Sequence, residues 1–393
     1  MDQPPPFTMD AAAQPLHSGL QDLNLYGDVD IRVTGYTLEK GSLKSYAKFN
    51  IQGQDAQGGF ECNRRFKEFA KLRTYMRRKW LGLYVPLLPE KKATVRTKQG
   101  NTEPQFIETR RMMLEAFCQK VAEYPWLYGS EEFQLFLRNR GDFRTELQHA
   151  SVPNLFSLRM VYTQAFPTRP AQDPGPVLAS FASLVASVLG LVKFVKTECR
   201  SVAAHATAMN RETARLAESL NSLEQNCLAV LSPSMKVGYF PNEVNLDGEN
   251  PFLGLFYWLI KEENELQTMS ECTESRFSLL SAVNDTRRKL ESAQHELAGL
   301  RAGDNLRLAS ILMFKTKPKR MMELEAKIRN LSGNLEHLTD LLVRVDGWLV
   351  DTEMPRFKTA RVQAYISALR LFAAVLTKEY GALAGLYSAM AEK

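Results

Sequence analysis

The fold is decided by the stretch Cys62–Leu72, which has the sequence C-N-R-R-F-K-E-F-A-K-L. Before it, apolar and polar residues alternate as in a half-buried strand. Within it, Phe66, Phe69 and Leu72 recur at the spacing of one helical face. The sequence therefore predicts that a strand passes directly into a helix at this point.

Arg64, Arg65 and Phe66 place two guanidinium groups and an aromatic ring at the end of this strand. Arginine can donate two parallel hydrogen bonds to phosphate oxygens, and a ring can pack against a sugar or an inositol face. One interpretation is a site for a phosphorylated, ring-shaped ligand. The other is a surface salt-bridge cluster beside a core phenylalanine, and both remain open on these residues alone.

The positive charge of the chain is concentrated in its first half. The 393 residues suffice for two or three domains and carry a formal net charge of +6. Residues 64–111 hold 14 Lys or Arg against 4 Asp or Glu, a local excess of 10. Such an excess favours an anionic partner, either a lipid headgroup or a nucleic acid.

The cysteines and the N-terminal sequence indicate the compartment. Five cysteines without a C-x-x-C spacing argue against a disulfide framework or a zinc site and for a reducing environment. The N-terminus lacks the basic and apolar regions of a signal peptide. The uncharged run Val177–Val192 is shorter than the roughly 20 residues needed to cross a bilayer. We therefore expect an amphipathic helix there rather than a membrane span.

The first half of the chain has the pattern of a small α+β domain. Two alternating runs near Val29–Val33 and Ala47–Ile51 precede the strand that ends at Arg65, and the turns between them are rich in glycine. Helices are predicted over about Lys67–Lys79, from about Pro104, and near Glu131–Arg138. The sum is an antiparallel meander with helices that ends near residue 140.

The second half has the pattern of three long helices, separated by breaks at Ser232–Pro251 and Lys315–Arg320. The third helix carries an apolar heptad seam typical of a coiled coil. Its members are Leu324, Ile328, Leu331, Leu335, Leu338, Leu342, Val345 and Leu349. A second seam runs from Val362 to Met390 with its phase shifted by one residue. The shift falls at Met354-Pro355, so we expect a bend there and an elongated bundle that dimerises.

Three motifs in order resemble the phox-homology (PX) domain. They are R-R-F at Arg64–Phe66, P-L-L-P-E-K at Pro86–Lys91 and F-I-E-T-R-R-M-M-L-E-A-F at Phe106–Phe117. The helical half, with E-M-P-R-F-K-T-A-R-V at Glu353–Val362, resembles the BAR domain of sorting nexins, in the branch of sorting nexins four, seven and thirty. The resemblance implies an α+β PX domain (three-stranded antiparallel sheet plus helices) followed by an all-α BAR domain of three long, kinked coiled-coil helices.

The resemblance also implies domain boundaries. We expect a disordered N-terminal tail at 1–27 and a PX phosphoinositide-binding domain at 28–141. A linker with a candidate amphipathic helix follows at 142–176, and a BAR dimerisation and curvature domain occupies 177–393. The linker helix either inserts into a membrane or packs on the PX domain.

The resemblance assigns roles to four residues. Arg65 matches the ligand of the 3-phosphate of phosphatidylinositol 3-phosphate, and Phe66 matches the aromatic beneath the inositol ring. Lys91 matches the contact of the 1-phosphate, and Arg110 matches the arginine that binds the ring hydroxyls. Arg64 is expected either to face away from the ligand or to support the sheet.

A further set of residues is expected at the membrane surface, in the proline-bearing loop and at the tip of the helical half. These are Lys92, Val95, Arg96, Lys98, Lys315, Lys317, Lys319 and Arg320. Each basic residue near an anionic surface adds roughly 1 kcal/mol. The tip cluster could equally be a solvated turn between helices.

The implied function is that of a peripheral membrane protein on the cytosolic face of early and recycling endosomes. It would bind phosphatidylinositol 3-phosphate and, as a dimer with itself or another BAR-domain sorting nexin, sense or induce curvature during cargo recycling, with autophagy as a further link. The alternative is a soluble coiled-coil scaffold with incidental lipid binding. No catalytic motif, metal-site spacing or cofactor fingerprint occurs, so neither an enzyme, a metal nor a cofactor is expected. Nucleic-acid binding is disfavoured because no groove-reading helix or aromatic array accompanies the basic region.

Overall fold

A computed structural model of the chain describes residues 28–40, 45–89, 104–139, 141, 143–149, 154–166, 173–228, 250–302 and 317–391. The predicted disordered tail, 1–27, lies outside these residues. The chain divides into two compact units. One consists of Met1–Trp80, Leu88–Pro167 and Ser332–Leu341. The other consists of Leu81–Leu87, Thr168–Leu331 and Leu342–Lys393.

The first unit is built on a three-stranded antiparallel sheet in the order β1-β2-β3. The strands are β1 (Asp30–Lys40), β2 (Ser45–Asp55) and β3 (Gly58–Arg65). Alternate side chains such as Phe49 and Ile51 are buried. The β2–β3 turn contains Gly58 with a φ of 106°, in the left-handed region that favours glycine. The predicted meander is confirmed.

Among the described residues of the first unit, six helices follow the sheet. They are α1 (Phe66–Lys79), α2 (Pro104–Ala122), α3 (Pro125–Tyr128), α4 (Glu131–Arg138), α5 (Phe143–His149) and α6 (Leu155–Ala165). The predicted helix α1 starts one residue earlier than expected, and α4 has the predicted bounds. The α1 face formed by Phe69, Leu72 and Met76 is fully buried. Phe69 contacts the rings of Phe117 and Phe136, so this aromatic packing joins α1 to α2 and α4.

Helix α6, in the predicted linker, packs one face on aromatic side chains of the first unit. The ring centroids of Tyr162 and Trp80 are 5.9 Å apart, and those of Phe166 and Trp126 are 5.7 Å apart. Arg159 forms ion pairs with Glu336 and Asp340. The opposite face of α6 leaves Phe156 and Met160 exposed. The helix is therefore amphipathic, and its buried face packs on protein.

The second unit contains the long helices that the sequence predicts. These are α7 (Gly175–Leu223), α8 (Pro251–Ala302), α9 (Lys317–Trp348) and α10 (Met354–Ala391). The part Ser332–Leu341 of α9 belongs to the first unit. Among the described residues, one helical segment, Gly175–Asn226, is long and apolar enough to cross a membrane, and 22% of its most apolar window is buried. The core helix of a soluble protein can have the same length and hydropathy.

A π-helical turn, Leu349–Glu353, joins α9 to α10. The backbone N–H of Met354 donates to the carbonyl of Leu349, five residues earlier, so one residue more than in an α-helical turn is accommodated. Pro355 follows immediately and has no N–H to donate. The π turn lies directly before Met354-Pro355 and explains the one-residue shift between the two seams. The bend expected at Met354-Pro355 stays a prediction.

The segment Leu81–Leu87 packs among the long helices of the second unit. The hydroxyl of Tyr84 donates to Glu265 Oε2 at 2.8 Å. The backbone N–H of Gly82 donates to Ser275 Oγ at 2.9 Å, and the Cys272 thiol donates to the Gly82 carbonyl. Gly82 has a φ of 73° and approaches Val345 closely. These contacts fix the backbone just before the proline-bearing loop.

Candidate functional site

Arg65 stands at the junction between β3 and α1. It is the last strand residue and the N-cap of the helix. Its backbone N–H donates to Glu68 Oε2 at 2.6 Å, which satisfies one of the donors that a helix N-terminus leaves open. The junction therefore holds the Arg65 backbone, while its side chain extends over the sheet.

The Arg65 guanidinium lies over the ring of Tyr46, with Cζ 3.4 Å from the ring centroid. Stacking uses the face of the planar guanidinium, whereas its five N–H donors point outward in the plane. Among the described residues, no carboxylate or carbonyl accepts a hydrogen bond from this guanidinium. The stacked geometry thus positions Arg65 and, within the part of the chain that the structure describes, leaves its donors available to an anion.

A cavity of about 660 Å³ borders Arg65. Its walls come from β2, β3, the first turn of α1 and the segment after α4. The lining residues are Tyr46, Lys48, Glu61, Cys62, Asn63, Arg64, Arg65, Glu68, Asn139 and Gly141. A cavity of this size and polarity suits a hydrophilic headgroup better than an apolar ligand.

Lys48 lies directly opposite Arg65 in the β2–β3 ladder. Its Nζ is 2.9 Å from Glu39 Oε1, and the Tyr46 hydroxyl donates to the other oxygen of that carboxylate at 2.7 Å. The hydrogen bond from Lys48, followed by that from Tyr46, lowers the pKa of Glu39. The same carboxylate raises the pKa values of Lys48 and Tyr46. Lys48 therefore carries its charge at neutral pH.

Phe66 and Arg110 come together on the other side of the junction. The Arg110 guanidinium lies between two rings, 4.4 Å from the centroid of Phe66 and 4.2 Å from that of Phe106. The residue is only 8% exposed, and burial lowers its pKa to about 10. It remains protonated at neutral pH. The structure thus pairs Phe66 with Arg110, whereas neither lines the cavity beside Arg65.

Arg64 has a structural role, as its place on the inward side of the strand suggests. Its Nε donates to the Phe136 carbonyl at 2.8 Å, and an Nη group donates to the Asn139 carbonyl. Its guanidinium also lies 5.5 Å from the rings of Phe136 and Phe143. These bonds satisfy carbonyls at the end of α4 and fix the helix against β3.

Several expected contact residues fall outside the described residues. These are Lys91, Lys92, Val95, Arg96, Lys98 and Lys315. Lys317 begins α9, and Lys319, the third residue of this helix, is exposed. Arg320 forms an ion pair with Glu296 on α8. The Arg320 charge is therefore already balanced within the second unit.

Tyr46 and Lys48 line the site but were not predicted from the sequence. Their alternation on β2 was visible, but the pairing of Lys48 with Arg65 depends on strand register. No group of His, Cys, Asp or Glu among the described residues could hold a metal ion. Within that part of the chain, the site presents the cations of Arg65 and Lys48, which suit an anionic ligand.

Comparisons with known proteins agree with this architecture. Residues 54–140 match the family model of the PX domain. Sorting nexin-4 of Homo sapiens is 37% identical over 84 residues, which cover 21% of this chain and 19% of that protein. Sorting nexin-7 of Homo sapiens is 34% identical over 86 residues, or 22% of each chain. The matched region spans about a fifth of the length of these relatives.

A solved structure extends the comparison to the helical half. The cryo-EM structure of the SNX-BAR Mvp1 tetramer aligns with a TM-score of 0.54 and 16% sequence identity, and it covers 90% of this chain and 99% of that one. At this identity the likeness shows the fold. The predicted three-stranded α+β domain followed by a long all-helical region is therefore confirmed.

Proposed function

We propose that this chain, a PX-BAR sorting nexin, is a peripheral membrane protein that binds phosphatidylinositol 3-phosphate on the cytosolic face of early and recycling endosomes. As a BAR dimer it senses or induces membrane curvature while cargo proteins are sorted and recycled. A contribution to autophagy is compatible with this role. The protein acts by binding rather than by catalysis.

The observation that carries the proposal is the Arg65 side chain. Its guanidinium is positioned by Tyr46, borders a polar cavity and keeps its in-plane donors available. A phosphate monoester offers oxygens that match this donor geometry. We therefore assign the 3-phosphate of the headgroup to Arg65.

Phe66, Lys91 and Arg110 complete the proposed headgroup site, in which the inositol ring spans the β3–α1 junction, because Phe66 and Arg110 lie outside the cavity that borders Arg65. Arg110 covers one side of the Phe66 ring and orients it. The inositol packs against the part of the Phe66 ring that remains exposed. The Arg110 guanidinium keeps its charge between Phe66 and Phe106, where it can donate to ring hydroxyls. Lys91 supplies the cation for the 1-phosphate.

Exposed apolar stripes on the second unit support dimerisation through the BAR region. In the first seam, Leu338, Leu342, Val345 and Leu349 are buried, but the second seam leaves Val362, Leu369 and Tyr380 between 38% and 56% exposed. Helix α7 carries another stripe, mostly at seven-residue spacing. It consists of Val177, Leu184, Leu191, Val202, Met209, Leu216 and Leu223, which are 42% to 64% exposed. Another BAR-domain sorting nexin, identical or related, is the proposed partner.

Dimerisation would make membrane binding bivalent. Linking two sites can raise avidity by roughly 10²–10⁴ over a single site. Lys92, Val95, Arg96 and Lys98 are proposed to contact lipid beside each headgroup site. Lys315, Lys317, Lys319 and Arg320 are proposed to do so at the tips, although Arg320 must then exchange Glu296 for phospholipid.

The alternative remains a soluble coiled-coil scaffold that binds lipid only incidentally. The exposed stripes would serve that role equally well, so lipid recognition decides between the two. Vesicle flotation of the Arg65→Ala variant is the test, with Arg32→Ala as the matched control. Arg32 is an exposed arginine on the same sheet, paired with Asp30 outside the cavity.

We expect Arg65→Ala to lose flotation with vesicles that contain phosphatidylinositol 3-phosphate and Arg32→Ala to keep it. Loss of one charge-assisted contact of about 1.5–3 kcal/mol weakens binding roughly 10- to 100-fold. Unchanged flotation of Arg65→Ala would refute the assignment of the site.

A further inference from the structure

We propose that Lys48 is a second phosphate ligand beside Arg65, and that Glu39 is a built-in counter-ion which Lys48 must leave when the phosphate binds. The inference rests on the proposed function, because it concerns the same headgroup site. The ligand chemistry is a phosphate monoester on a polyol ring, carried either by a membrane lipid or by a soluble inositol phosphate.

The strand register places the two cations together. Lys48 and Arg65 are directly paired across β2 and β3. Side chains of directly paired residues lie on the same face of a sheet, with Cβ atoms about 4.5–5.5 Å apart. Both side chains line the same cavity. An anion that contacts the Arg65 guanidinium therefore lies within reach of the flexible Lys48 ammonium.

Like charges in direct cross-strand pairing are destabilising unless something offsets them. Here Tyr46 stacks on Arg65 and donates its hydroxyl to Glu39, which in turn binds Lys48. This chain of contacts keeps two cations beside one cavity without an external anion. It resembles the arrangement of a binding site more than that of an ordinary surface ion pair.

Glu39 and Lys48 are both accessible, with side chains 39% and 33% exposed. An ion pair of this exposure contributes little to stability and can be exchanged. A phosphate monoester carries up to two negative charges and three acceptor oxygens, so it can contact the ammonium and the guanidinium together. Among the described residues, the Glu39 carboxylate contacts Lys48 and Tyr46 in this way. The phosphate therefore replaces Glu39 as the partner of Lys48.

The two members of the ion pair should then have opposite effects on lipid binding. Removing the Lys48 charge in Lys48→Gln deletes a phosphate contact, whereas Glu39→Gln releases Lys48 from its competitor. If the pair were only structural, both variants would change binding in the same direction or not at all. Opposite changes in binding affinity would therefore identify Lys48 as a phosphate ligand rather than as a member of a purely structural ion pair.

The experiment measures binding of the full chain to vesicles with and without phosphatidylinositol 3-phosphate, at constant total anionic lipid. We expect Lys48→Gln to bind about 10-fold more weakly and Glu39→Gln about 3- to 10-fold more tightly to the vesicles with phosphoinositide. The matched control is Lys40→Gln, an exposed lysine of β1 that does not line the cavity. It should bind like the wild type. Thermal melting of each variant confirms folding.

A second arm uses a water-soluble, short-chain phosphatidylinositol 3-phosphate. If Lys48 contacts the phosphate, Lys48→Gln weakens binding of this soluble probe as well; an effect restricted to vesicles would overturn the proposal. Lys48→Gln that behaves like Lys40→Gln, or Glu39→Gln that weakens binding, would also overturn it. If the role of Lys48 is overturned in this way, loss of vesicle binding by Arg65→Ala would still support the proposed function. A wild-type protein that binds equally well with and without phosphoinositide would refute both the role of Lys48 and the proposed function.

Discussion

Asp346→Asn is expected to destabilise the second unit strongly. Asp346 on α9 binds Arg276 on α8 through both oxygens, with Nε–Oδ1 at 2.6 Å and Nη2–Oδ2 at 2.8 Å. The two side chains are only 4% and 6% exposed. Within the described residues, Arg276 Nη1 has no hydrogen-bond partner, so no second acceptor stands ready to replace the lost carboxylate.

The magnitude follows from the burial of the pair. Asparagine keeps the shape of aspartate but removes the charge, which leaves a buried guanidinium without a counter-ion. Breaking one side of a buried ion pair costs about 3–5 kcal/mol. Because domains are stable by about 5–15 kcal/mol in total, this is a large fraction of the free energy of unfolding.

Urea denaturation of the full chain, followed by circular dichroism, measures the effect. The matched control is Asp285→Asn on α8, which removes the exposed ion-pair partner of Arg288 on that helix. It should leave the urea midpoint of unfolding nearly unchanged. The double variant Arg276→Met, Asp346→Leu removes both charges and should recover most of the loss, since apolar replacement of a buried pair is often neutral or stabilising. An Asp346→Asn variant within about 1 kcal/mol of wild type, or a double variant less stable than the single one, would refute the reasoning.

Two further predictions concern the backbone and the acid stability of the chain. Gly82→Ala should lower the free energy of unfolding by about 1–3 kcal/mol, because φ is 73° and an added Cβ would lie 2.7 Å from Val345 Cγ1; a variant as stable as wild type in urea would contradict this. Burial acts to raise the pKa of Asp55, but hydrogen bonds from Tyr128 and Arg138 lower it overall. The ionised Asp55 carboxylate therefore adds to the free energy of unfolding above its unfolded pKa of about 3.9. This contribution is lost as the pH falls below that value and through the lower pKa of the folded state. Asp55→Asn should melt below wild type at pH 7, with the gap narrowing below about pH 4; a gap independent of pH would contradict the assignment.

Much of the fold could be predicted because local patterns and tertiary packing agree. The run from Cys62 to Leu72 specifies a strand and a helix by period alone, and the helix begins within one residue of its expected start. The heptad seams predicted the long helices, and the one-residue phase shift between the seams falls at the π turn between α9 and α10. The sequence alone did not predict a π turn at this position, since proline more often produces a simple kink.

The composition of the site was less predictable because it depends on contacts between distant segments. Lys48 faces Arg65 only in the observed register, and a one-residue slip would move it to the other face. The Arg110 guanidinium lies between Phe66 and Phe106, an arrangement that spacing along the chain does not reveal. Likewise, the packing of Leu81–Leu87 within the second unit has no local signal.

Lipid recognition through Arg65 is best tested by flotation of the full wild-type chain across a panel of vesicles. The vesicles carry phosphatidylinositol or each of its phosphorylated forms at equal total charge, and Arg65→Ala is run beside the wild type. We predict that the wild type floats at least about 10-fold better with phosphatidylinositol 3-phosphate than with unphosphorylated phosphatidylinositol, as expected for one added charge-assisted contact, and that Arg65→Ala loses this preference. Equal flotation of the wild type across the panel would contradict the proposal and favour the scaffold.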